Sequence, residues 1–186
     1  MKKFPWKTMS VEEIGAAICS HLKTHDISVV LSGGACVSIY SGNQYESNDL
    51  DFVMSDYSFK EIDPLMEKLG FKRTMDQRHY EHPQCFYFIE FPPSPLTVGE
   101  EFVKKTVTLK NRYGRLVLLR PVDSVKDRLA AFYHWNDRQS LEQAVMICLK
   151  RRVSLKEIEH WSRNERMQEK FKLFLKIYKE RKIHKF

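Results

Sequence analysis

Cysteine is scarce in this chain: four residues in 186, Cys19, Cys36, Cys85 and Cys148, with no C-x-x-C pair among them. No disulfide framework is read from that scatter, and three of the four lie in apolar segments, where a free thiol packs as a small hydrophobe. Long hydrophobic runs are missing too. Nothing approaches the roughly 18 apolar residues of a membrane span, and the N-terminal MKKFPWKTMS leads into a charged helix rather than a signal-peptide core. The expectation is a soluble, cytoplasmic protein with no membrane partner. Acidic residues are in deficit, 24 against 31 Lys and Arg, for a formal net charge of +7. Such a balance favours polyanionic partners. The excess is concentrated in residues 150–186, from Lys150 to Lys185, which read either as a phosphate-contacting surface or as the solvated face of ordinary helices.

What is present centres on residues 29–54, VVLSGGACVSIYSGNQYESNDLDFVM. They read as a strand, a glycine pair, a helix, a polar turn and a second strand. Along that second strand side chains alternate, so Asp49 and Asp51 point the same way with Cβ atoms roughly 6–7 Å apart. Leu50, Phe52 and Val53 make the strand apolar enough to bury, and two ionised carboxylates side by side in such a strand need a cancelling charge. Mg2+, with Mn2+ as an alternative, fits: it takes oxygen ligands, commonly from one or two carboxylates plus substrate phosphates. Ser32, Gly33 and Gly34 sit where strand meets helix, and glycine there lets the backbone approach an anion at the helix N-terminus. A phosphate-binding turn beside a metal-binding strand suggests a nucleoside triphosphate (NTP). Either motif alone is common as a plain turn or a solvated strand end; their order and spacing together carry the reading.

Gly33-Gly34 followed after fourteen residues by Asp49-Leu50-Asp51-Phe52 resembles the signature of the DNA polymerase β-type nucleotidyltransferase superfamily. The resemblance implies a third carboxylate on a later strand, a two-metal mechanism, and transfer of a nucleoside monophosphate from an NTP to a hydroxyl. Glu90 is the candidate third carboxylate. It lies in the aromatic run QCFYFIEF, residues 84–91, which reads as a strand on which Glu90 shares a face with Phe86 and Phe88. The other reading is a strand-end glutamate reaching water, since Pro92-Pro93 ends the strand.

The remaining elements follow from local signals. Ser10 to Glu13 is a capping box ahead of a helix with Ile14, Ala17, Ile18 and Leu22 inward. Residues 27–31 read as the first strand and 35–40 as a short helix. Asp63-Pro64 opens a further helix, which Gly70 closes. His79, His82 and Cys85 have metal-like intervals but only three soft ligands and no fourth candidate, so a zinc site is disfavoured against a loop at the mouth of the site where Arg78 or His79 meets substrate. The proline-rich FPPSPLTVGEEF reads as a stiff, exposed loop, and residues 103–109 and 115–119 as two strands joined by a turn at Asn111 to Gly114.

Pro121 marks the change to an all-helical remainder, so residues 1–120 form the expected α/β (α+β) core, built on a mixed sheet, and 121–186 a helical region closing the cleft. Asp123 is the expected N-cap of the helix over 122–133. Another helix covers 139–149, Ser154 to Glu157 is a second capping box, and the final helix carries Met167, Phe171, Phe174, Leu175 and Tyr178 as a stripe packing on the sheet or on a second copy. Arg128-Leu129-Ala130-Ala131 with Asn136-Asp137-Arg138 is similar to the second half of the AbiEii-type nucleotidyltransferases, many of them bacterial toxins. The resemblance implies a triphosphate-contacting cation before Leu-x-Ala and an aspartate, here Asp137, on the next helix. This chain has Arg128 where lysine is usual. Lys126 is the expected triphosphate contact with Arg128 second; residues two apart on a helix lie about 200° apart and cannot both face the site.

The expected function is therefore metal-dependent nucleotidyl transfer. Asp49, Asp51 and Glu90 would be catalytic metal ligands, and Ser32, Gly33, Gly34, Lys126, Arg128 and Asp137 would bind nucleotide. The basic tail and toxin-like second half favour an RNA or tRNA acceptor, with Tyr80, Tyr87 and Tyr113 as stacking candidates, and allow a cognate antitoxin as partner. The alternatives are a protein hydroxyl as acceptor, or a degenerate site that binds nucleotide or RNA without chemistry.

Overall fold

The computed structural model describes residues 4–54 and 59–183; Lys185 of the basic tail lies outside them. Helix α1 (Val11–Lys23) starts as the capping box requires, with Ser10 Oγ accepting from Glu13 N at 3.2 Å and the Glu13 carboxylate accepting from Ser10 N at 3.1 Å. The chain continues through β1 (Val29–Ser32), α2 (Gly33–Ser41), β2 (Asp49–Met54), α3 (Phe59–Lys68), β3 (Lys72–Arg73), β4 (His79–Glu81) and β5 (Phe88–Glu90). After a short hairpin, β6 (Thr97–Val98) and β7 (Glu101–Phe102), come β8 (Thr106–Asn111) and β9 (Gly114–Leu119). Four helices follow: α4 (Pro121–Trp135), α5 (Arg138–Lys150), α6 (Leu155–Asn164) and α7 (Gln168–Ile183).

Seven strands form one mixed sheet in the order β3-β4-β5-β2-β1-β9-β8. The pair β1/β2 is antiparallel, whereas β1/β9 and β2/β5 are parallel. The mixed-sheet α/β class read from the sequence is the observed one. Alternation in β2 does what the pattern demands: Leu50 and Phe52 are fully buried on one face, and Asp49 and Asp51 stay partly exposed on the other. No helix among the described residues is long and apolar enough to cross a membrane, and all four cysteines are free.

Several elements depart from local expectation because tertiary partners intervene. Helix α3 begins at Phe59, so Pro64 lies inside it rather than at its start. Asp63 is no cap; its carboxylate takes the Tyr80 hydroxyl and lies 3.6 Å from Arg73. Likewise α4 starts at Pro121, whose fixed φ suits the first helical position, while Asp123 is buried against Arg120 at 2.6 and 2.9 Å. Strand β5 is only three residues long, because the turn closed by Cys85 N to His82 O (3.0 Å) takes up the preceding stretch. The proline-rich segment is not simply an exposed loop: its hairpin is held on the helices by Trp161 Nε1 donating to Val98 O (3.2 Å) and Glu100 N donating to Glu165 Oε1 (2.9 Å).

The C-terminal stripe packs on helices rather than on the sheet. Phe171 and Phe174 are buried, α7 lies against α5 and α6, and Arg181 pairs with Glu142. Several cations of the basic stretch have structural work. Arg151 donates to the Tyr40 and Ile39 carbonyls at the C-terminus of α2 (3.1 and 3.2 Å), and Lys170 to the Phe132 and Tyr133 carbonyls near the C-terminus of α4 (3.0 and 2.6 Å). Helix C-termini leave carbonyls unpaired and carry partial negative charge, which cations satisfy. Ser154 caps α6 through Glu157 N, but the Glu157 carboxylate turns to Arg120 and Lys126, so only half of the second capping box forms.

Candidate active site

Strand register assembles the site. Asp51 pairs with Ser32 of β1 on one side and with Glu90 of β5 on the other, which brings residues nearly 60 apart in sequence onto one sheet face. Ligand oxygens of Asp49, Asp51 and Glu90 all lie within 4.8 Å of one another, and this is the only such group of potential metal ligands among the described residues. Ser47 Oγ donates to Asp49 Oδ1 at 2.7 Å and holds that carboxylate in place. Burial first, then the charges of Asp49 and Glu90, push the Asp51 carboxyl up to about 7. A hard divalent cation is the group this arrangement fits: three carboxylates at ligand spacing, one of them unable to ionise freely without a compensating charge.

That shift sets a pH dependence. With no cation bound, folded Asp51 keeps its proton up to about pH 7, whereas an unfolded aspartate loses it near pH 4. The folded state thus binds more protons across this window, so the contribution of Asp51 to stability is full below the unfolded pKa and falls as pH rises through the folded one. The metal-free protein is expected to lose Tm between about pH 5 and 7.5, and millimolar Mg2+ to restore much of the loss at the upper end. A Tm that rises over that window in chelator would contradict the assignment.

The glycine pair lies directly against the acids and the serine that holds one of them. Helix α2 begins at Gly33 itself, with φ +64°, and a Cβ there would overlap Asp51 Oδ2; one on Gly34 would come within 2.6 Å of Ser47 Oγ. Ser32 makes no side-chain cap, its Oγ donating instead to Asp51 O at 3.3 Å, which leaves the first N–H groups of α2 available to an anion. A cavity of about 290 Å³ lies over this turn, lined by Ser32, Gly33, Asp51, Asp127 and Arg128 and walled by Pro92, Pro93 and Pro95.

Of the two α4 cations, the one facing this cavity is Arg128. Its Nε and Nη2 donate to Asp127 Oδ2 at 2.9 and 2.6 Å. Burial works against its charge, but Asp127 and then Asp51 more than offset it and raise the guanidinium pKa. Lys126 points elsewhere: it is buried between Glu101 and Glu157, 3.2 Å from each, in a separate cavity with Arg120 and Asp123. The angular separation of residues two apart on a helix thus puts Arg128, and not Lys126, at the cavity over the glycine turn. Asp137 is the N-cap of α5, accepting from Gln139 N and Ser140 N, with Ser140 Oγ at 2.7 Å. Its carboxylate is engaged in capping. Lys126→Met is expected to lower Tm by loosening the hairpin while leaving stabilisation by Mg2+ and NTP intact; Arg128→Met should abolish most of that ligand stabilisation. Equal responses in the two variants would contradict this placement.

Glu90 already has partners. Arg78 Nε lies 2.6 Å from Oε1, and His79 Nε2 3.4 Å from Oε2, while His79 Nδ1 meets Asp76 at 3.1 Å. The loop expected at the mouth of the site thus reaches the third carboxylate. His79, His82 and Cys85 do not converge: the His82 ring packs 5.2 Å from Phe71 and 5.8 Å from Trp6, and its Nδ1 accepts from Gln84 N. The tyrosines are also placed differently from the stacking role. Tyr80 is buried, Tyr87 is partly buried, and Tyr113 packs on Phe4 at the end of β9 remote from Asp51. Sequence reasoning missed Ser47, Asp127 and the exposed rings of Phe86 and Phe88; alternation along residues 84–91 had put those rings on the face of Glu90, but as packing.

No protein-family model and no curated protein sequence matches the chain. Solved structures do share its fold. An antigenic nucleotidyltransferase-like protein from Paracoccidioides brasiliensis superposes with a TM-score of 0.55 at 15% identity, covering 77% of this chain and 78% of that one. The antibiotic-resistance factor ANT(2'')-Ia in solution gives 0.52 at 12% identity, covering 94% and 97%, and its crystal structure with adenylyl-2''-tobramycin gives 0.52 at 10%, covering 87% and 95%. The chain thus has the nucleotidyltransferase fold, and at these identities the likeness is one of fold.

Proposed function

We propose that this protein transfers a nucleoside monophosphate from an NTP to an acceptor hydroxyl. The observation that carries the reading is the convergence of Asp49, Asp51 and Glu90 within ligand distance beside the glycine turn and Arg128. Asp49, Asp51 and Glu90 would hold Mg2+, which supplies charge neutralisation on the phosphate oxygens and lowers the pKa of the attacking hydroxyl. The N–H groups opening α2 would bind the outer phosphates, with the Arg128 guanidinium offsetting their charge. In the reaction the acceptor oxygen forms a bond to the α-phosphorus, the bond to the bridging oxygen breaks, and pyrophosphate leaves on the side away from the acceptor. The hydroxyl proton is released near Glu90, whose strand lies beyond β2 from the phosphate turn.

The fold also occurs in a protein solved with adenylyl-2''-tobramycin, and a labelling experiment identifies the acceptor class used by this chain. Each NTP, labelled at the α-phosphate, would be incubated with Mg2+ and with total RNA, total protein or amino sugars. Mg2+-dependent label in one pool, with pyrophosphate released in equal amount, is the expected result. Triphosphate recovered intact from every pool, without stabilisation of the protein by any Mg2+–NTP pair, would overturn the reading.

A further inference from the structure

A cavity of about 630 Å³ lies where the last turns of α1 meet β1, β8 and β9, a volume in the range of sites for small organic ligands. It opens where two interior strands part: β1 and β9 pair in register at Leu31 and Leu118 alone, against four pairs between β1 and β2. That pair sets Val30 beside Val117, and Thr108 faces Val117 across the β8–β9 ladder. Both valines line the cavity and are only half-buried despite their central strands, with buried Ile27 beside them. Apolar side chains on interior strands are ordinarily covered, so this floor offers apolar surface to a ligand. The charge around it has one sign. Lys23 and Arg115 line the cavity, and no Asp or Glu does. Lys23 Nζ donates to Ser28 Oγ at 3.2 Å, Arg115 has Lys110 opposite it on the ladder, and neither forms an ion pair among the described residues.

We propose that this cavity binds a small organic anion with an apolar body, of the alkyl or aryl carboxylate class, its hydrocarbon on Val30, Val117 and Ile27 and its carboxylate on Lys23 or Arg115. Each half of the ligand is selected by the wall it meets. Burying hydrocarbon against the valines removes apolar surface from water, and a guanidinium receives a carboxylate through paired N–H donors. An organic amine would meet two cations with no carboxylate to receive it. An inorganic anion would leave the valines wet, and a neutral hydrocarbon would leave both cations without a counter-charge. The hydroxyls of Thr106 and Thr108, both on exposed residues of the wall, add donors for the same oxygens. This site shares no lining residue with the cavity of Ser32 and Arg128, and the inference does not depend on nucleotidyl transfer.

The test follows the fluorescence of anilinonaphthalene sulfonate, an anion with an apolar body, on the whole chain, and its displacement by decanoate, decanol and decylamine, with the Tm of each variant measured in parallel. Native protein is expected to take up one dye per chain saturably, and decanoate to displace it about tenfold better than either the alcohol or the amine. Lys23→Gln combined with Arg115→Gln should weaken dye and decanoate about tenfold or more, the effect of one lost charge-assisted hydrogen bond. Arg115→Lys should keep most of the affinity. Thr108→Trp, which fills the cavity from an exposed strand position, should abolish binding, and Lys110→Gln, outside the lining, should leave it unchanged. Native protein that binds neither dye nor decanoate overturns the proposal, as does dye bound equally by Thr108→Trp or lost to decylamine as readily as to decanoate. Displacement of the dye by Mg2+–NTP would place the anion in the nucleotide cavity and overturn it too, while leaving the nucleotidyl-transfer reading intact.

Discussion

Asp51→Asn is expected to yield a folded protein that melts higher than the metal-free native chain at pH 8 and transfers no nucleotide. The amide keeps the shape of the carboxylate and removes one of three like charges whose ligand oxygens lie within 4.8 Å of one another. Burial and those neighbours hold the native Asp51 carboxyl near 7, so at pH 8 the chain carries an ionised group that its surroundings disfavour, and the variant does not. The same change deletes a ligand from the proposed cation site. Transition-state stabilisation by bound metal is worth several kcal/mol, which corresponds to a loss of about 10³-fold or more in transfer rate. Thermal melts with and without Mg2+, beside the labelled-nucleotide assay, separate the two effects. A variant that melts lower than native in chelator at pH 8, or that keeps its Mg2+-dependent rise in Tm, would show that Asp51 is not the strained ligand described here.

Gly33→Ala is expected to damage the site nearly as much by a different route. With φ at +64° the residue sits in the left-handed region, where an L side chain costs about 1–2 kcal/mol. Its Cβ would also overlap Asp51 Oδ2, so either the carboxylate or the turn that opens α2 must shift. Both belong to the proposed machinery. Gly42 is the matched control: its φ is +68°, yet nothing lies within 4 Å of a Cβ built there. Gly42→Ala should therefore lower Tm by the conformational strain alone and leave stabilisation by Mg2+ and NTP intact, whereas Gly33→Ala should lose both Tm and most of the ligand response. Equal ligand responses in the two variants would mean that the contact between Gly33 and Asp51 has no functional weight.

How far the sequence could be read depended on the range of the interaction concerned. The capping box at Ser10, alternation along residues 49–54 and the glycine pair are short-range features, and each appears where those residues place it. Signals of the same kind failed where a distant partner competed for the residue. Asp63 reads as a cap and instead takes Tyr80 and Arg73; Asp123 reads as a cap and is buried on Arg120. The hairpin at 97–102 was hidden in a proline-rich stretch because Trp161 and Glu165, more than 60 residues downstream, hold it in place.

By itself the sequence determined that two aspartates share a strand face behind a glycine turn, and that a carboxylate stands among aromatics at Glu90. Those facts need only the two-residue period of a strand and the reach of a backbone without a side chain. Tertiary structure alone decided that β5 lies beside β2 in the register joining Glu90 to Asp51, that Arg128 rather than Lys126 faces the cavity, and that Phe88 is open while Tyr80 is buried. The physical reason is that strand order, helix rotation and solvent exposure are set by the packing of the whole chain, which no local window contains.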